Sequence, residues 1–244
     1  MTIDATAPAP AEQSGGPGWA AIGPFGGDAD DVAVSTVDPT IVLAGIAPSS
    51  GSGGALYRST DSESTWSIVG VLSGVNVYDI EFAPDGTVYI GTQDSVWKSV
   101  DDGVNWVQLN LDIGLNDTVF EVAIDPSAPS RLWAGIADAL GSQPVNVMRL
   151  GNGGTTWTDA TPPLASPQSC KGISIDPNDS SRMFACFGAS FGGGQVWFSD
   201  SGGTAWVNRS AGLPPQPDAG RRARRVSRSP GGRPALRIAV RGSL

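Results

Sequence analysis

The chain has 244 residues, with no histidine, two cysteines, 33 glycines and 19 prolines. This length fits one domain, and the many turn-forming residues argue against a helical bundle. The absence of histidine excludes a Ser-His-Asp triad, a histidine metal site and acid–base chemistry by imidazole. Two cysteines are too few for a zinc site made of cysteine alone, so no metal and no other cofactor is predicted.

Charge is distributed unevenly along the chain. The net charge is −9 at pH 7, but residues 221–244 contain eight arginines and no acidic residue, which leaves 7 basic and 24 acidic groups in residues 1–220. An acidic body repels nucleic acid and anionic lipid, so neither is predicted as a partner. No apolar run approaches the roughly 20 residues of a membrane span.

The N-terminal segment, residues 1–16, is rich in alanine, proline and glycine and is predicted to be a flexible leader. It lacks the basic region and the apolar region of a signal peptide, so no signal peptide is expected in it. The predicted folded part begins at residue 17.

Four segments, each ending in tryptophan, repeat along the chain, and successive tryptophans are 40, 51 and 49 residues apart. All fit the pattern S-x-D-x-G-x-T-W with substitutions, and we call each one a box. The pattern residues are Ser59, Asp61 and Trp66; Ser99, Asp101, Gly103 and Trp106; Asn152, Gly154 and Trp157; and Ser199, Gly203 and Trp206. Aspartate accepts bonds from nearby backbone N–H groups, glycine supplies a positive φ, and tryptophan fills space between sheets. These residues are therefore predicted to be structural.

Between boxes, an alternating segment ends in a turn that contains proline, at Pro39, Pro84, Pro126 and Pro177. Each unit contains four short runs rich in valine, isoleucine and aromatic residues, which are typical of strands; the first run of the first unit is VAVSTV, residues 32–37. Four antiparallel strands in 40–50 residues is the size of a β-propeller blade. The sequence therefore predicts an all-β chain with about four four-stranded blades over residues 17–217; the resemblance given next implies that they form an incomplete ring.

The boxes resemble the Asp-box, or bacterial neuraminidase repeat (BNR), of sialidases, xyloglucan-active endoglucanases, sortilin-type receptors and photosystem-assembly propellers. The resemblance covers residues 17–213 and implies a propeller with the boxes on the blade periphery, but it implies no particular activity. Complete propellers of this kind have six to ten blades, so the chain is expected to be a truncated propeller. Its open edges are expected to expose apolar surface, through which copies of the chain can associate.

Residues 218–244 break the repeat with a sequence rich in arginine, proline and glycine. One interpretation is that this segment is read out of frame, which truncates the propeller. The other is a genuine basic tail that contacts nucleic acid or an acidic membrane surface. No aromatic residue lies among the arginines, so base stacking is unsupported.

The resemblance implies that the ligand face is formed by the loops that enter each inner strand and by the loops between second and third strands. The polar residues predicted to bind ligand in these loops are Asp28, Asn76, Asp94 and Asp138. Glycoside hydrolysis needs paired carboxylates, for which the candidates are Asp30, Asp31 and Asp117. The alternative is that these acidic residues only form turns.

Two functions remain open at this point. The first is a non-catalytic module of an exported protein, extracellular or periplasmic, that binds a carbohydrate or a protein. The second is a fragment of a glycoside hydrolase of xyloglucanase or sialidase type. Sialidase activity is not expected because residues 1–220 contain no Phe/Tyr-Arg-Ile-Pro segment.

Two cysteines fall in the fourth unit. Cys170 opens the first predicted strand of that unit and Cys186 lies near the end of its hairpin partner, so the two are opposite or one residue out of register. A cross-strand disulfide would indicate an oxidising compartment. The alternative is a pair of buried thiols.

Overall fold

The computed structural model describes residues 28–48, 53–111, 113, 117–137, 146–151, 156–164, 168–188 and 194–213. Within these ranges, sixteen strands form four antiparallel sheets of four strands each. The only helical element in the same ranges is one 3-10 turn, Gly70–Leu72. The predicted leader and basic tail lie outside the described residues, as do Asp138, Asn152 and Gly154.

Each sheet takes four strands in sequence order, with neighbours along the chain hydrogen-bonded to each other. The first sheet contains β1 (Ala29–Val34), β2 (Val42–Ile46), β3 (Ala55–Ser59) and β4 (Ser67–Ile68). The second contains β5 (Val77–Phe82), β6 (Val88–Thr92), β7 (Val96–Ser99) and β8 (Val107–Gln108). The third contains β9 (Thr118–Ile124), β10 (Leu132–Ala137), β11 (Val147–Leu150) and β12 (Trp157–Asp159). The fourth contains β13 (Ser169–Asp176), β14 (Asp179–Gly188), β15 (Gln195–Ser199) and β16 (Val207–Asn208).

The sheets stack side by side around a common axis. Their first strands, β1, β5, β9 and β13, contact one another in that order, so these strands are the innermost. One apolar cluster fills each space between neighbouring sheets, and these clusters include Leu43 with Ile80, Tyr89 with Val119, and Trp133 with Ile173. This arrangement is an incomplete β-propeller of four-stranded blades, which confirms the predicted fold class.

The first strand differs from its prediction in phase. Val34 pairs with Val42 just as Phe82 pairs with Val88, so β1 ends three residues earlier than the predicted run 32–37. The cause is a longer turn between β1 and β2, closed by a bond of 2.9 Å from the Ser35 N–H to the Ile41 carbonyl. Aligning the units on their turn prolines therefore places the first unit, with Pro39, out of register with the second.

The second box forms a turn closed by its own side chains. The Ser99 hydroxyl donates to the Asp101 carboxylate (2.7 Å) and accepts from the Gly103 N–H (3.0 Å). Asp101 also accepts from the Asn105 backbone N–H (2.8 Å) and from the Asn105 side-chain amide (2.7 Å). Gly103 has φ +82°, a left-handed conformation that glycine adopts without strain.

The first and fourth boxes repeat this turn with substitutions. In the first box, Asp61 accepts from the Thr65 N–H at 2.8 Å, and Glu63 has φ 69° at the position of the glycine. In the fourth box, Ser201 replaces the aspartate, and its hydroxyl accepts from the Ala205 N–H at 2.9 Å. A hydroxyl in place of the carboxylate, or a glutamate at positive φ in place of the glycine, therefore supports the same turn.

The tryptophans of the third and fourth boxes join their blades to the blade before. The indole N–H of Trp157 donates to the Leu109 carbonyl at 3.0 Å, and that of Trp206 donates to the Ala160 carbonyl at 2.8 Å. Trp106 instead bonds the Gly103 carbonyl of its own box. The boxes therefore lie at the boundaries between blades as well as at turns.

We expect acid to weaken the second box. Bonds from the backbone N–H and the side chain of Asn105 lower the pKa of Asp101 from 3.8 to about 2. As the pH falls, Asp101 is protonated in the unfolded chain before it is protonated in the folded one, which favours unfolding. The stabilisation from this carboxylate is therefore complete above about pH 4 and is lost as the pH falls toward about 2. The urea midpoint measured across this interval should fall more steeply in the wild-type protein than in Asp101→Asn. Equal slopes would contradict this role for the carboxylate.

Both ends of the arc expose apolar side chains. Val32 and Val34 of β1 are 62 % and 50 % exposed, whereas Ile80, which takes the place of Val32 in the second sheet, is 1 % exposed. At the other end, Phe184 is 45 % exposed and its ring centroid lies 5.0 Å from that of Phe198. Self-association through these faces stays a prediction.

The two cysteines are free thiols, which corrects the disulfide alternative. A bulge at Lys171 sets Cys170 opposite Phe187 and Cys186 opposite Gly172, so the two sulfurs do not form a cross-strand pair. Without a disulfide, the two cysteines do not indicate an oxidising compartment.

Burial should make both thiols slow to react. Burial raises the pKa of Cys170 and of Cys186, and Cys170 has no exposed surface. Because the thiolate is the reactive form, a thiol reagent near neutral pH should modify Cys186 slowly and Cys170 more slowly still. In denaturant without reductant, two thiols per chain should react with the reagent at once. Release of thiols only after reduction would contradict this prediction.

Candidate functional site

Each innermost strand carries a β-bulge near its beginning, where the register with the second strand shifts by one residue. The extra residues at these bulges are Asp30, Tyr78, Phe120 and Lys171. A bulge turns the side chain of its extra residue away from the normal alternation of the strand. The four blades therefore present one residue each at an equivalent position, and we call these four residues the bulge row.

Members of the bulge row contact each other across blade boundaries. The ring centroids of Tyr78 and Phe120 are 4.8 Å apart with the rings tilted by 47°, and the Lys171 Nζ lies 4.9 Å from the Phe120 centroid. Tyr78 and Phe120 are half-buried and Lys171 is exposed. Three consecutive blades thus build one surface of aromatic rings with an ammonium group above it.

Polar groups border this surface at the second sheet. The Asn76 side-chain amide donates to the Tyr78 hydroxyl at 3.3 Å, and the Asn76 N–H donates to the Gln93 side-chain carbonyl at 3.3 Å. Asp94, next to Gln93, is exposed, and its carboxylate accepts from the Thr92 hydroxyl at 2.7 Å. Two of the predicted ligand-binding residues, Asn76 and Asp94, therefore lie at this end of the second sheet.

Asp28 is exposed just before β1, and its carbonyl accepts from the Ala47 N–H at 3.1 Å. This bond ties the entry of the inner strand to the end of β2, as the bond from the Gln93 N–H to the Asn76 carbonyl (3.2 Å) does in the second sheet. The entry of β1 and the end of β2 therefore lie together at the end of the sheet that carries the bulge.

The residue after the bulge links one blade to the next at the first and second sheets. The Asp31 carboxylate accepts from the Ile80 N–H at 2.8 Å, and the Asp79 carboxylate accepts from the Val122 N–H at 2.6 Å. Asp79 is 2 % exposed, which makes this bond part of the core. The geometry therefore gives Asp31 a structural contact that does not depend on catalysis.

The three carboxylates considered for catalysis lie in different environments. Asp30 is a half-buried member of the bulge row, whereas Asp31 bonds the backbone of the next blade. Asp117, at the entry to β9, is 3 % exposed. A general acid and a general base must both reach the substrate, and of these three residues Asp30 and Asp31 are half-buried whereas Asp117 is buried.

Sequence reasoning missed Tyr78, Phe120 and Lys171 as surface residues because all three fall inside predicted strands. A signal was present in the acidic residues that follow three of the bulges, Asp31, Asp79 and Glu121, which repeat in phase. Aligning the units on those acids, rather than on the prolines, places the bulge residues in one column.

Two further features bear on function. The part of the chain that the structure describes contains no group of three or more metal-ligating side chains. Over the same ranges, no helix is long and apolar enough to cross a membrane.

Comparison with known proteins identifies the fold. No family model matches the chain, and no curated protein matches it. An ancestral GH74 enzyme gives a TM-score of 0.64 at 17% identity, covering 77% of this chain and 26% of that one. A GH74 enzyme from Niastella koreensis gives 0.58 at 23% identity, covering 73% and 29%. Hydrazine synthase from Kuenenia stuttgartiensis gives 0.56 at 14% identity, covering 74% and 48%.

The chain therefore spans between about a quarter and a half of the length of these similar structures. At such identities the likeness shows the fold, a β-propeller, and nothing about activity.

Proposed function

We propose that this chain is part of an Asp-box propeller of an exported protein and binds a carbohydrate or protein ligand through the bulge row without catalysing a reaction. The observation that carries this proposal is the contact of Tyr78, Phe120 and Lys171 across three blades. Half-buried aromatic rings offer an apolar face that sugar C–H groups or apolar side chains can cover. The Asn76 amide and the Lys171 ammonium supply hydrogen bonds that orient such a ligand.

The carboxylates support binding rather than turnover. Asp31 is occupied by the Ile80 backbone and Asp117 is buried. Two of the three candidate carboxylates are therefore poorly placed to reach a substrate, whereas glycoside hydrolysis uses a pair. The assignment to an exported protein rests on the resemblance of the boxes to those of exported propellers.

Binding is tested with the Tyr78→Ala and Phe120→Ala variants of the full chain. Titration calorimetry with xyloglucan and cello-oligosaccharides should give a saturable isotherm for one class of probe, and each variant should lower its affinity about tenfold, or 1.4 kcal/mol. Phe184→Ala is the matched control because Phe184 is an exposed aromatic on the open face of the fourth sheet. Its affinity should be unchanged.

Loss of binding counts only where circular dichroism shows that the variant is folded. Unchanged affinity in folded Tyr78→Ala and Phe120→Ala would place the ligand elsewhere. If no oligosaccharide binds the wild-type chain, the carbohydrate form of the proposal fails, and a peptide panel tests the protein form with the same variants.

The second candidate is a fragment of a glycoside hydrolase, the class of two of the similar structures, both GH74 enzymes. It predicts release of reducing ends from xyloglucan oligosaccharides by the chain, with loss of that release in both Asp30→Asn and Asp117→Asn. Binding without release of reducing ends supports the non-catalytic function. Release that survives either substitution would exclude these carboxylates as the acid and base.

A further inference from the structure

A cleft of about 150 Å³ lies between the third and fourth sheets, at the strand ends opposite the bulge row. Its walls are Arg131, Trp133, Arg149, Ser180, Ser181, Ser201 and Gly202. An adjoining cleft of about 320 Å³ shares Arg149. The site is therefore separate from the surface assigned above to ligand binding.

Two residues that line this cleft each carry a buried N–H donor without an acceptor. The Trp133 side chain is 1 % exposed and its indole Nε1 has no hydrogen-bond partner. The Arg149 Nε is also buried without a partner, and the guanidinium lies 5.8 Å from the centre of the Trp133 ring. Buried donors are almost always paired in folded proteins. Two unpaired donors on residues that line one cleft indicate an acceptor that comes from outside the chain.

The first unit shows how the equivalent arginine is satisfied elsewhere. Arg58 pairs with Leu43 as Arg149 pairs with Trp133, and the Arg58 Nε donates to the Asp102 carbonyl of the next box at 2.7 Å. Gly202 takes the place of Asp102 in the fourth box and lines the cleft, yet it accepts no such bond from Arg149. The third unit thus combines a free guanidinium edge with an indole where the first unit has leucine.

The charges around the cleft favour an anion. Arg131 forms an ion pair with Asp125 and also donates to the Ser180 hydroxyl at 3.2 Å, so its charge is already balanced. Arg149 has no carboxylate partner within ion-pair distance in the described residues. Asp159, on the adjoining cleft, accepts from the Thr161 N–H at 2.8 Å. The charge of Arg149 is therefore available to a ligand.

We propose that this cleft binds a small tetrahedral oxyanion of the phosphate or sulfate type, either free or as the ester group of a larger molecule. The planar guanidinium of Arg149 and the Trp133 N–H donate to its oxygens, and the Ser180 hydroxyl, which accepts from Arg131, donates its own proton to the anion. Arginine is suited to this role because its N–H groups match the spacing of oxyanion oxygens. No bond is made or broken in this binding.

The test is titration calorimetry of the full chain with inorganic phosphate at constant ionic strength. We expect one saturable site per chain, weakened about tenfold in Arg149→Gln. Trp133→Phe keeps the ring and removes only the N–H, and it should weaken binding severalfold. Arg58→Gln is the matched control, because it removes the same side chain from a position where its Nε is already paired, and it should leave phosphate affinity unchanged.

Each outcome is decisive. Absence of saturable phosphate and sulfate binding in the wild-type chain overturns the proposal, as does equal affinity in folded Arg149→Gln or an equal loss in Arg58→Gln. A second arm uses glucose 6-phosphate and phosphoserine. Tighter binding of an ester than of inorganic phosphate, sensitive to Arg149→Gln, assigns the site to an esterified ligand. Equal or weaker binding of the esters assigns it to the free anion.

Discussion

Replacing Gly91 with valine is expected to destabilise the protein by about 3 kcal/mol, at the upper end for an added side chain in a packed core. A Cβ at Gly91 would lie 2.7 Å from the Val119 carbonyl oxygen and 3.0 Å from the Val119 Cγ1. This steric clash can be relieved only if β9 moves away from β6, because the closer of the two atoms, the carbonyl oxygen, belongs to the backbone. Equilibrium unfolding in urea measures the effect.

Gly70→Val is the matched control for this change. Gly70 is exposed in the 3-10 turn and a Cβ there would meet no atom within 4 Å, so its effect should stay within about 0.5 kcal/mol. A similar loss of stability in both variants would show that the backbone preference of valine relative to glycine, rather than packing between blades, controls the result. Near-wild-type stability of Gly91→Val would mean that the second and third blades do not approach as closely as described.

Close approach between blades recurs at two other glycines. A Cβ at Gly45 would lie 2.8 Å from Val77, and one at Gly135 would lie 2.8 Å from the Cys170 Sγ. In each case the glycine of a second strand faces the inner strand of the next blade, and it pairs in its own sheet with the acidic residue that follows the bulge. Glycine and acid therefore form one recurring device that joins consecutive blades.

The fourth sheet departs from this device at both positions. Gly172 stands where the acid occurs in the other sheets, and Cys186 stands where the glycine occurs. Its open face also exposes Phe184. The outer face of this sheet is thus built differently from the three faces that contact a following blade, and its contacts with any partner must use other groups.

The blade count and most strands were predictable because their signals are local. A box such as that at Ser99–Trp106 needs only its own aspartate, glycine and tryptophan to form a turn, and a run such as TVYIGT has the residues typical of a strand. Proline was a poor phase marker in the first unit, since Pro39 lies in a turn of variable length.

The bulge row was not predictable in the same way. A bulge exists only as a register shift between two strands, so Tyr78 in VYDIEF looks like any residue of an alternating strand. The same shift at Lys171 separates Cys170 from Cys186 and removes the disulfide that simple hairpin folding allowed. The register between strands decided both the position of the bulge residues and the separation of the cysteines. Sequence periodicity does not specify that register to within one residue.

The second large effect is expected at Asp79, where alanine should cost about 2 kcal/mol of unfolding free energy. The Asp79 carboxylate is 2 % exposed and accepts from the Val122 N–H at 2.6 Å across the boundary between the second and third blades. Truncation leaves that N–H without an acceptor in a buried place, where water cannot replace the carboxylate. Urea unfolding gives the free energy, and hydrogen exchange at the Val122 amide reports the bond directly.

Two variants separate this bond from a general effect of removing charge. Asp79→Asn keeps an acceptor oxygen and should recover much of the loss. Asp31→Ala removes the equivalent bond to the Ile80 N–H (2.8 Å) at the open edge of the arc, where β1 is half exposed, and should cost less because water reaches that edge. If Asp31→Ala costs as much as Asp79→Ala, burial does not set the strength of this contact. If neither variant speeds amide exchange, the carboxylates do not hold adjacent blades together.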